Sequence, residues 1–283
     1  MRPVIAKHND FAITGQAPEG KEQRTMQMRT GVYWSVGAGH KRNQDSLSLQ
    51  HVALQRGECL LALVCDGIGS LACSQEAGSY VVHQMTDWFY HEGKELIFQS
   101  NTKELILFSL HRQFCRIQEH LKQFQLTQHI QTGTTCSGIL IVKDRYYLMH
   151  IGDSRIYHIR AKAVPTRRQA CRVRCMTADD RDDQGHLCKC LGMAGADHVY
   201  LDTGRLKRHT CLLLATDGFC FGAPESRLGQ ALGPCLFAGS GKGERGSRYY
   251  AEEGLDRRLE LLGEWAARAG SRDDMAAIGI VIL

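Results

Sequence analysis

The chain has 283 residues, 43% of them hydrophobic, and a formal net charge of +5. That length and apolar share suffice for one large domain with a sizeable core, and so modest a charge argues against nucleic-acid or membrane-surface partners unless it is clustered. Of the 12 cysteines, many lie inside apolar runs, as do Cys59, Cys65, Cys136 and Cys211. There a reduced thiol behaves as a small hydrophobe. Cys171, Cys175, Cys188 and Cys190 lack the paired C-x-x-C spacing of a zinc ribbon.

Lys7, His8, Asn9 and Asp10 stand where a signal peptide would need an apolar core, and no run approaches the ~20 apolar residues of a membrane span. A cytoplasmic protein is expected. Residues 1–29 are polar, carry Gly and Pro and show no sustained period, which reads as a flexible N-terminal arm. No Pro- or Ser-rich linker divides residues 30–283, which are expected to form a single domain.

Tyr33 to Val36 reads as a strand, followed by a Gly37-Ala38-Gly39 turn, and alternation of Leu47 and Leu49 with Ser46 and Ser48 resumes a strand after Asp45. Leu60 to Cys65 is a continuous apolar run stopping at Asp66-Gly67, the pattern of a central strand ending in a turn. Ala77, Val81, Met85, Trp88 and Phe89 recur at helical spacing. A second helix is expected over about 102–125, burying Leu105, Phe108, Phe114 or Cys115, and Leu121. Strands over 137–142, 146–151 and 155–159, joined by short turns, predict an antiparallel meander. Residues 160–190 read as an Arg-rich loop, Cys211 to Ala215 as a buried strand, Leu255 to Ala266 as a long helix with Trp265 in the core, and Met275 to Leu283 as a last strand. The fold class expected is α+β, with antiparallel sheets covered by helices.

Five aspartates sit at the edges of these runs and turns: Asp45, Asp66, Asp153, Asp217 and Asp273. Carboxylates delivered from several strand ends can converge on one sheet edge, where their repulsion is tolerable only with cations between them. Oxygen-only ligation favours Mg2+ or Mn2+ over Zn2+.

Taken in order, Asn43-Gln44-Asp45, Asp66-Gly67, Gly133-Thr134-Thr135, Gly152-Asp153-Ser154-Arg155, Asp217-Gly218 and Ser271-Arg272-Asp273-Asp274 resemble the type 2C metal-dependent serine/threonine protein phosphatases over about residues 30–283. The resemblance implies a four-layer αββα sandwich and hydrolysis of phosphoserine or phosphothreonine on proteins by a metal-bridged hydroxide, opposite a Ser/Thr kinase. By matching position, Asp66 would bridge two Mn2+ or Mg2+ ions and the Gly67 carbonyl would complete one of them. Asp217 and Asp273 would hold the other, and Asp45 would orient metal-bound water. Asp153, with Asp217, would match the additional metal site of bacterial members, raising the count to three ions.

Three departures accompany the resemblance. Where the family carries a phosphate-gripping Arg stands His40, followed by Lys41 and Arg42, which are the candidates for the phosphate contact. Asp274, where many members have Asn, is expected to be solvated. The connection from Thr177 to Leu191 is short, leaving the cleft open. Loss of the Arg supports the alternative of a pseudophosphatase-like module that binds a phosphorylated partner without turnover, whereas intact Asp66, Asp217 and Asp273 argue for turnover, and fold alone does not separate a related metallohydrolase acting on small phosphoesters.

Arg160, Lys162, Arg167, Arg168, Arg172 and Arg174 form a basic cluster, read as a solvated hairpin or a surface recruiting an acidic phosphoprotein and not as a nucleic-acid surface, since aromatics do not interleave it. Gly239 to Gly246 reads as a flexible loop, because Leu236 and Gly243 break the phosphate-loop pattern. His150 is expected to pack or face solvent, with no catalytic role.

Overall fold

The computed structural model describes residues 26–54, 57–99, 102–161, 171–193, 198–237 and 254–283. The N-terminal segment up to residue 25, the Gly239–Gly246 stretch, Lys162, Arg167 and Arg168 lie outside them. Among the described residues, ten strands form two five-stranded antiparallel sheets. One sheet runs in the order β1 (Met28–Ser35), β10 (Met275–Ile282), β9 (Thr210–Ala215), β6 (Arg155–Ala161), β7 (Cys171–Cys175). The other runs β2 (Ser46–Leu54), β3 (Gly57–Cys65), β4 (Cys136–Val142), β5 (Arg145–Ile151), β8 (Tyr200–Arg205).

The central strands are apolar on both faces because both faces are covered. In β3, Leu60, Ala62 and Val64 point toward the other sheet and meet Leu212, Leu214, Ile278 and Ile280, while Leu61, Leu63 and Cys65 point the opposite way. That outer face carries α1 (Ser74–Trp88) and α3 (Lys103–Gln128), which pack Val81, Met85, Leu110 and Ile117 onto it. The outer face of the first sheet carries α5 (Glu225–Leu232) and α6 (Leu255–Arg268) through Leu228, Leu232, Leu259 and Leu262. Short helices at Lys94–Gln99 (α2) and Asp217–Cys220 (α4) complete the layers of an αββα sandwich, as expected from the sequence. Among the described residues, no helix is long and apolar enough to cross a membrane.

Several local expectations are corrected. The strand read at Tyr33 to Val36 begins at Met28 and ends at Ser35, drawn out by pairing with β10. Residues 137–159 are not one meander. β4 and β5 form a hairpin, but β6 leaves it and pairs with β9 and β7 in the facing sheet. Gly152, at φ +112°, makes that switch in a backbone region that L side chains rarely adopt. Part of the supposed loop at 160–190 is β7, paired to β6.

Helix α3 is rotated from its expected face. Leu105, Phe108 and Cys115 are exposed, and Ile106, Leu110, Gln113, Phe114, Ile117, Gln118 and Leu121 are buried. Two glutamines can sit inside because Gln113 donates to the Gln84 carbonyl, and Gln118 donates to the Met193 carbonyl while accepting from the Gly192 N–H. Trp265 is only partly buried, with the Arg227 guanidinium 4.5 Å above its ring. Trp88 is core, and its indole N–H donates to Ser109.

Candidate metal centre

Each aspartate is held where a buried strand starts or ends. Asp66 follows β3, and its backbone is clamped against the start of β4. Its N–H donates to Thr135 Oγ1 (3.0 Å), and its carbonyl accepts from Thr134 Oγ1 (2.9 Å) and the Thr135 N–H (2.8 Å). Gly67 is crowded, since a Cβ there would lie 2.8 Å from the Ser74 carbonyl oxygen and 2.9 Å from that of Gln44. Asp45 precedes β2, with its N–H donating to Asn43 Oδ1 (2.8 Å) and its carboxylate accepting from Thr216 Oγ1 (2.8 Å). Asp153 sits in the turn that switches sheets, Asp217 opens α4 after β9, and Asp273 lies just before β10.

Asp66, Asp153 and Asp217 each place a carboxylate oxygen within 4.8 Å of the other two. These three, with Asp273, Gly67, His40 and Arg181, line one open cavity of about 700 Å³. Burial pushes the Asp66 carboxyl well above the usual carboxylate range, and the charges of Asp45, Asp217, Asp153 and Asp273 push it further. Asp45 is raised in the same way, by burial first, with the Thr216 hydrogen bond opposing and Asp274, Asp217 and Asp273 adding to it. Asp153 and Asp273 are also raised, again chiefly by burial.

The carboxylates concentrate negative charge at one point, and Asp217 Oδ1 is buried there without a hydrogen-bond partner. Both features fit a bound cation. The donor set is carboxylate and carbonyl oxygen, which suits Mn2+ or Mg2+. Asp66, Asp153 and Asp217 are close enough to share it, and Asp273 and Gly67 line the same cavity.

The segment from His40 to Arg42 borders this cavity. His40 Nδ1 lies 2.9 Å from Asp274 Oδ2 and 3.8 Å from Asp273 Oδ1. Lys41 and Arg42 line an adjoining hollow with Gln44, Ser74 and Glu76. Asp274 is not solvated as the sequence suggested. Its side chain is 2% exposed and accepts from the backbone N–H groups of Gly37 (2.8 Å) and Gln44 (2.7 Å) as well as facing His40. Those charge-assisted bonds replace water and pin the Gly37–Gln44 turn to the start of β10.

Sequence reasoning passed over Arg181. It reaches back from the connection after β7 and pairs with Asp153 and Asp217. Its neighbours anchor that connection. Asp179 takes both Nε (2.9 Å) and Nη2 (2.6 Å) of Arg155, and Asp180 accepts from the Gly152 N–H (2.9 Å) and from Lys189 (3.2 Å). The signal available was the run Asp179-Asp180-Arg181-Asp182-Asp183, with one cation among four carboxylates. His150 is buried, between Ser137 Oγ (2.8 Å) and the Ala178 carbonyl (2.9 Å), away from the cavity lining.

The protein phosphatase 2C family model matches residues 37–226. No curated protein sequence matches the chain at a significant level. Among solved structures, the S. agalactiae serine/threonine phosphatase is similar with a TM-score of 0.68 at 17% identity, over 91% of this chain and 100% of that one. Stp1 from Staphylococcus aureus gives 0.66 at 17% identity, over 96% and 100%. The catalytic domain of the serine threonine protein phosphatase PstP, in complex with two manganese ions, gives 0.64 at 19% identity, over 92% and 100%.

Proposed function

Because the chain belongs to the protein phosphatase 2C family, we propose that it removes phosphate from phosphoserine and phosphothreonine of proteins by metal-dependent hydrolysis. The observation that carries this reading is the carboxylate cluster of Asp66, Asp153 and Asp217, flanked by Asp45 and Asp273. In this reading Asp66, Asp217 and Asp273, with the Gly67 carbonyl, would hold Mn2+ or Mg2+. The two manganese ions of PstP support a pair of them. When bound, such a pair supplies hydroxide near neutral pH and neutralises charge growing on the phosphoryl oxygens.

The chain's own groups position the rest. Asp45, oriented by the Thr216 hydroxyl at 2.8 Å, aligns the attacking water. Thr134 and Thr135 hold the Asp66 backbone, so its carboxylate keeps one direction. The catalytic domain takes in residues 30–283 together with Met28 and Arg29, which open β1, and the substrate is a protein phosphorylated by a Ser/Thr kinase, with no nucleic acid or membrane involved. A cytoplasmic setting is supported by Cys59, Cys65, Cys136 and Cys211, which sit as thiols in the apolar core.

One observation favours the second reading, a phosphoprotein-binding module without turnover. His40 is engaged by Asp274, so the position where relatives carry an Arg offers no guanidinium fork to the phosphate. Lys41 and Arg42 then take the phosphate contact. Replacing either by Ala should raise KM several-fold with little change in kcat, since a charge present on substrate and transition state alike gives uniform binding. Steady-state kinetics of the two variants on one phosphothreonine peptide test this, and unchanged constants for both would remove the segment from the substrate site. Wild-type protein assayed beside them on an aryl phosphate separates the readings. Peptide bound without phosphate release makes the chain a binding module, and release from the aryl phosphate alone makes it a small-phosphoester hydrolase.

A further inference from the structure

The cavity contains a positive charge supplied by the chain. Arg181 Nη2 lies 2.5 Å from Asp153 Oδ2 and 3.1 Å from Asp217 Oδ2, and Nη1 donates to the Gly185 carbonyl at 2.8 Å. This is a built position and not a wandering surface side chain. The turn that offers the Gly185 carbonyl is closed by the Asp182 carboxylate, which accepts from the N–H groups of Gln184 (2.9 Å) and His186 (2.8 Å), with Gly185 at φ +85°. Upstream, Asp179 and Asp180 tie the chain to Arg155 and Gly152, the residues flanking the Asp153 turn.

Two carboxylates this close repel unless a cation lies between them, and a guanidinium meets that need with directed N–H donors. It also takes the place that a metal shared by the two would fill, because the same nitrogen lies against Oδ2 of both Asp153 and Asp217. Asp217 Oδ1, buried and without a partner, is left for a metal shared with Asp66 or Asp273.

We propose that Arg181 is a resident cation that occupies the position between Asp153 and Asp217, so that this chain carries two metal ions and no third. The proposal rests on the reading of the site as a Mn2+ or Mg2+ centre. Under it, Asp153 pairs with Arg181 instead of serving as the metal ligand the resemblance implies.

Equilibrium dialysis against Mn2+, with metal per chain measured by elemental analysis, tests it. Wild type should hold two ions and Arg181→Ala three, and the double variant Arg181→Ala/Asp153→Asn should return to two. Asp153→Asn alone should keep the wild-type count, a result that stands even where Arg181→Ala fails to fold. A third ion in the wild type, an unchanged count in folded Arg181→Ala, or an ion lost from Asp153→Asn would each overturn the proposal while leaving the metal-dependent reading intact. A wild type that takes up no Mn2+ overturns both.

Discussion

Asp66→Asn is expected to lower phosphate release on the order of 10³-fold, because losing the carboxylate charge proposed to hold the metal would forfeit several kcal/mol of metal-borne stabilisation at about 1.36 kcal/mol per factor of ten. The backbone bonds from Thr134 and Thr135 that hold this residue do not involve its side chain, so the fold should survive. Circular dichroism and steady-state kinetics at saturating Mn2+ measure the two effects separately. A folded variant that turns over as fast as wild type would place the reacting centre elsewhere.

The same substitution should have the opposite effect on the metal-free protein, making it more stable than wild type at neutral pH. The folded-state pKa of Asp66 lies well above the ordinary 3.8, through burial and then the neighbouring carboxylates. Ionising it therefore costs the folded chain more than the unfolded one. That penalty is complete above the raised pKa, shrinks as pH falls through it, and vanishes below the ordinary value. The gap between variant and wild type should accordingly close on acidification. Adding Mn2+ at neutral pH should reverse the order, since ligand at 100 times its Kd stabilises the binding-competent protein by about 2.7 kcal/mol. Urea denaturation of both proteins, with and without Mn2+, across this pH range gives the comparison. A wild type more stable than the variant at neutral pH without metal would contradict the electrostatic account.

The sequence made the strand ends legible. Leu60 to Cys65 and Cys211 to Ala215 are apolar throughout because both faces of a sandwiched sheet are covered, and each stops at Asp-Gly or Thr-Asp-Gly, where the backbone turns into the cavity. What a one-dimensional pattern does not carry is partnership. The Gly152-Asp153-Ser154 turn looks like a hairpin, and only the long-range pairing of β6 with β9 reveals that it crosses between sheets. The face of α3 was misjudged for a related reason. Gln113 and Gln118 look like surface residues until the carbonyls of Gln84 and Met193 are brought to them. Asp274 is the same case in miniature, since the two backbone N–H groups that bury it come from more than 200 residues away. Arg181 was hidden among like-coloured surface charges, and its role depends on two aspartates that the fold delivers from other elements.

Phosphate release from a phosphothreonine peptide, measured on protein stripped by chelator and again after Mn2+ is restored, tests the central claim most directly. No release above background is expected from the stripped protein, with recovery on Mn2+ and far weaker recovery with Zn2+, which an all-oxygen site does not favour. Full activity in protein that elemental analysis shows to be free of metal would contradict that claim.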